Sequence, residues 1–235
     1  NDDTDSTTIG SGVSRSAPTN LQGIVNFGGG ATLGAVQAST ANGILTLSAD
    51  SLNLTRSGAN NFAAVSITTT NATVFAGGTL AATTLAVSAG SISQTGGATL
   101  APTGAATLSA TGAITLAGAN TFGGDVTVGG ANVTINDTTA LSLAGANSAT
   151  GNLVLSSANG ISQTGGSVSV TGSTTLSSAG MNISLNQAAN TFSGPVGFNG
   201  ANVELDATGA LALSASTATG TLDVATTGAL SQTGV

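Results

Sequence analysis

Two carboxylates stand two residues apart in "NVELD", Glu204 and Asp206. On an extended chain that spacing sets both on one face, about 7 Å apart, within the range an inverting glycosidase uses for its acid and base. The chain offers them little help. It contains no His, Tyr, Trp, Cys or Lys, so it lacks the Tyr and Trp rings that hold a sugar and the His or Lys that would tune a carboxyl group. One repeat earlier the equivalent positions hold Thr134 and Asn136. The pair therefore reads as solvated surface acids, and a glycan-cleaving or glycan-binding module is kept as the alternative function.

Other chemistries are weaker. Asn136–Asp137 and Asp206 are oxygen donors of the kind Ca²⁺ takes, yet no Gly/Asp nonapeptide array surrounds them. "SITTTNAT" (66–73) supplies one Thr-rich strand of the kind an ice-binding face requires on every coil, but "DVTV", "ALSL" and "NVEL" do not repeat it. The Gly clusters cannot make a phosphate loop without a Lys and a helix. No catalytic, cofactor-binding or metal-binding residue is expected, and the chain is read as a non-enzyme without cofactors.

Charge narrows the partners. The formal net charge is −7, with Arg15 and Arg56 the only cations, which argues against nucleic acid and anionic membrane. No apolar run approaches the ~18 residues of a membrane span, so membrane insertion is not expected. Charged residues are 5% of the chain, against about 25% in ordinary domains.

What positions these side chains is a succession of short strands. Val126/Val128, Val133/Ile135, Leu141/Leu143, Leu153/Leu155, Val168/Val170, Ile183/Leu185 and Val203/Leu205 each pair two apolar residues around one small or polar residue. That alternation gives strands with one inward face. "GGAN", "SSAN" and "NGAN" between them are corner sequences, and no helical periodicity interrupts the pattern.

A longer rhythm overlies the strands. "ISQTGG" at 92–97 returns at 161–166 and as "LSQTGV" at 230–235, so Gln94, Gln163 and Gln232 recur every 69 residues. "GANNF", "GANTF" and "AANTF" place Phe62, Phe122 and Phe192 at intervals of 60 and 70, so the repeat is elastic at one place. Divided by three, the period gives about 23 residues, one coil of a parallel β-helix with three strands per coil. Every third strand from Val126 reaches Leu153, residue 175 and Val196. The three glutamines are expected to be buried corner caps three coils apart, about 14 Å. The longer segments "AGANSATGN" (144–152) and "SASTATGT" (214–221) are expected to project as solvent turns.

The run from Gly118 to Asn186, "GANTFGGDVTVGGANVTIND" onward, resembles the long repeats of filamentous-haemagglutinin-like bacterial adhesins. "ITLAGANTFGGDVTV" (114–128) is similar to the strand repeat of autotransporter passenger domains. The resemblance implies an all-β, right-handed parallel β-helix, secreted or displayed at the bacterial cell surface. Residues 1–20 are expected to form a polar flexible segment and residues 21–235 a β-helix of 60–70-residue repeats. The expected function is a structural, non-catalytic shaft of an adhesin or fibre, in filament, biofilm or cell-contact roles. Its expected partners are further repeats or other copies of itself, and surface glycans or a neighbouring cell. The chain opens at Asn1 and stops within a unit, so a longer polypeptide or end-to-end filaments are expected.

Overall fold

The computed structural model describes residues 7–9, 14–20, 24–27, 32–37, 44–49, 51–55 and 61–233; side chains are described at 45–48, 51–54 and 62–233. These residues form an all-β parallel solenoid without a helix. Successive strands fall alternately into two sheets. The path of the first sheet runs from Thr7–Ile9 to Leu222–Thr226, and that of the second from Ser14–Asn20 to Leu230–Gln232. Thr7–Ile9 and Ser14–Asn20 lie in the segment expected to be polar and flexible, and what is described there is backbone pairing alone.

Two sheets rather than three faces follow from how the corners are used. In the second sheet Ile92, Ile114, Val133, Leu153, Thr174 and Val196 succeed one another in register, at steps of 22, 19, 20, 21 and 22 residues. Every second strand, not every third, returns to the same sheet. Val126 therefore pairs with Leu143 in the first sheet, while Leu153 belongs to the second. The expected third strand survives only in places, as short extensions such as Thr99–Pro102, Ala146–Ala149 and Ser167–Val170.

The 69-residue period consequently spans three and a half coils. Gln94 ends a strand of the second sheet, Gln163 one of the first, and Gln232 one of the second again. Seven coil steps separate Gln94 from Gln232 along that sheet. Strands on the main path of either sheet and their copies in the next repeat thus lie in opposite sheets: Val133–Asp137 in the second and Val203–Ala207 in the first, Leu153–Ser157 in the second and Leu222–Thr226 in the first. Successive repeats are related by half a turn and an advance of about 17 Å.

Inside, the strands deliver Leu, Val and Ile columns, with Phe62 and Phe122 among the largest fully buried side chains. Burying each such aliphatic side chain stabilises the coil by about 1.5–3 kcal/mol. At the corners Asn side chains bridge the stack: Asn132 Oδ1 accepts from Asn152 N, and Asn152 Oδ1 from Ser173 N. Half a turn away, Asn202 Oδ1 accepts from Thr221 N in the same way.

The segment 144–152 corrects the expectation of a projecting turn. Ala146–Ala149 is a strand lying in register beside Gly129 and Gly130. Asn147 is buried and its Oδ1 accepts from Val128 N at 2.9 Å. The added residues are absorbed into the wall because Asn147 replaces a missing backbone partner.

Candidate functional site

The recurring glutamines are the first group brought together with unforeseen partners. Gln163 is 6% exposed, and its Nε2 donates to Asn190 Oδ1 at 2.9 Å while Asn190 Nδ2 donates back to Gln163 Oε1 at 2.9 Å. Gln94 and Asn120 form the same reciprocal amide pair, at 2.6 and 3.2 Å. Each Asn also accepts from a strand N–H, Leu100 N on Asn120 and Val168 N on Asn190. Gln94 has the backbone partners expected of a cap, donating to Ala98 O and accepting from Gly118 N. The Asn belongs to "GANTF" and "AANTF", so two recurring motifs, Gln94 to Gln163 at 69 residues and Asn120 to Asn190 at 70, are two halves of one clasp. Their spacing is half-integral in coils, so the clasps at Gln94 and Gln163 sit on opposite sheets.

The carboxylates do not converge. Glu204 and Asp206 point outward from Val203–Ala207, both half-buried. Glu204 Oε2 accepts from Ser184 Oγ at 2.6 Å. Its register partner on the next strand is Asp223, whereas Asp206 faces Ala225. A shallow depression is lined by Asn182, Ser184, Asn202, Glu204, Thr221 and Asp223, without Asp206. That depression sets Glu204 beside Asp223 and leaves Asp206 outside it. Asp137 is buried, and its Oδ1 accepts from Phe122 N, Thr139 N and Thr139 Oγ1. Asn136 donates to Gly118 O. That pair closes a corner, and among the described residues no three acids gather for a metal. In "SITTTNAT", Thr69 and Thr73 turn inward and bond each other at 2.9 Å, so the stretch forms no Thr array on one face.

The two outer walls differ in charge. On the first sheet one column runs Asp125, Ser142, Ser162, Ser184, Glu204, Asp223 in register. On the second, Val74, Ser93, Thr115, Thr134, Val154 and Thr175 form a column, with Asn136, Ser156, Ser177 and Asn199 beside it. Among residues with described side chains, the outward carboxylates are Asp125, Glu204, Asp206 and Asp223, and all four belong to first-sheet strands. Their repeat equivalents on the second-sheet side are Pro195, Thr134, Asn136 and Val154.

A family model described as repeats of unknown function matches residues 62–129, 130–199 and 200–235. The unit boundaries fall half a turn apart, at the end of Asp125–Gly130 and of Val196–Gly200. No curated protein and no solved structure matches the chain.

Proposed function

The chain belongs to the family of repeats of unknown function (DUF5649), and from its fold we propose that it serves as a non-catalytic shaft of a bacterial surface adhesin or fibre. The observation that carries this reading is the continuity of the stack: two parallel sheets extend coil upon coil, with the same amide clasp at Gln94 and Gln163 and the same Asn bridge at Asn132 and Asn202. A solenoid of this kind is a spacer whose length is set by the number of its units. Resemblance of 118–186 to filamentous-haemagglutinin-like repeats supports placing the shaft outside the cell, where it holds adhesive parts away from the surface or meets neighbouring cells. Walls of small hydroxyl and amide side chains suit a fibre exposed to water.

The test is immunogold labelling of intact producing cells with antibody raised against the folded chain. Label on the exterior, removed by external protease, is expected; label confined to the cell interior refutes the reading. The glycan module is tested in parallel by a screen of polysaccharides. Cleavage that disappears in a Glu204→Gln, Asp206→Asn double variant overturns the non-catalytic assignment.

A further inference from the structure

From the charge difference between the two walls, we infer that the second sheet is a lateral docking face whose partner is the same face of a second copy of this chain. This rests on the shaft reading and adds to it which side of the shaft is sticky. The half-turn between repeats makes the inference possible. Because each sequence unit is presented alternately on both sheets, the two walls are built from the same motif and would be alike if nothing distinguished them. They differ at all four outward carboxylates: Asp125, Glu204, Asp206 and Asp223 on one wall answer to Pro195, Thr134, Asn136 and Val154 on the other. Among residues with described side chains, charge is thus concentrated on the first-sheet wall and withheld from the second.

Three physical features select a second copy as the occupant. Two first-sheet walls repel, whereas two second-sheet walls meet without like charges among the described side chains. Val154, 36% exposed, lies in the sixth of ten second-sheet strands whose side chains are described, near the middle of the wall. A two-fold axis through that region sets the valine against its own copy. The Val/Thr/Ser column repeats every ~4.8 Å, and a second solenoid of the same rise stays commensurate with it along the whole wall. Ten strands of about five residues present roughly 700 Å², close to the ~800 Å² per partner of a standard stable interface.

The full 235-residue chain lacks cysteine, so a single introduced thiol reports the contact cleanly. Val154→Cys marks the second-sheet wall, and Ser162→Cys the exposed centre of the first. Under mild oxidation Val154→Cys is expected to form covalent dimers at least tenfold faster than Ser162→Cys. In sedimentation, Val154→Glu is expected to weaken self-association at least tenfold, with Ser162→Glu leaving it unchanged and circular dichroism confirming that both fold. Equal cross-linking rates, faster cross-linking of Ser162→Cys, or equal effects of the two Glu variants overturn the inference. A chain that stays monomeric at every concentration also overturns it, and none of these results touches the surface-labelling test of the shaft itself.

Discussion

Removing either half of the amide clasp should cost stability unequally, by an amount set by the bonding of each partner. Gln163→Ala deletes the two mutual hydrogen bonds at 2.9 Å and leaves Asn190 still bonded to Val168 N, Leu185 O and Asp206 O. At about 1 kcal/mol net per bond, the loss is about 2 kcal/mol. Asn190→Ala deletes the same two bonds and also strips the buried Val168 N of its acceptor. With about 1–3 kcal/mol for each orphaned buried group, its cost rises to about 5 kcal/mol. The double variant should cost about 2 kcal/mol less than the sum, because the mutual bonds are lost only once. Urea unfolding followed by far-ultraviolet circular dichroism measures this, since the chain has no Trp or Tyr to report by fluorescence. An Asn190→Ala variant no less stable than Gln163→Ala, or strict additivity, would refute the clasp.

The adjacent glycines of the second "TGG" corner should respond differently to Ala. Gly166 has φ +75° and a Cβ there would overlap the Gly145 carbonyl, whereas a Cβ at Gly165 meets nothing within 4 Å. Thermal melting should show a loss of about 2 kcal/mol or more for Gly166→Ala and almost none for Gly165→Ala. Asp223→Asn removes a like charge beside Glu204, so it should raise the melting temperature slightly in low salt and lose that effect in molar salt. Duplicating residues 130–199 should lengthen the particle by about 17 Å in small-angle scattering without widening its cross-section.

The strands and their inward faces were legible because apolar residues alternate with small polar ones, and the buried columns at Val133/Ile135, Ile183/Leu185 and Val203/Leu205 stand as the alternation placed them. The number of strands per coil was not. A two-residue apolar pattern is the same whichever sheet a strand joins, so a period of 69 divides by three as readily as by three and a half. The strand register, as of Val126 with Leu143, separates the choices. "AGANSATGN" reads as a solvent loop from composition, because nothing local shows that Asn147 will serve Val128 N across coils. The candidate acids were visible at once in "NVELD", but the neighbour that matters to Glu204 is Asp223, 19 residues further on. Likewise Gln163 and Asn190 each belong to a visible motif, while their meeting depends on a coil length that neither motif encodes.

Half a turn per repeat also constrains how such a chain changes length over generations. Slippage or unequal recombination between similar units adds or deletes one at a time. One unit gained swings everything beyond it to the opposite side of the rod, as Val133–Asp137 and Val203–Ala207 already illustrate across a single unit. Two units gained restore the original heading and change only the reach. Any distal part that must face a fixed direction therefore tolerates length variation in pairs, and an odd number of units acts as a reversal of aim.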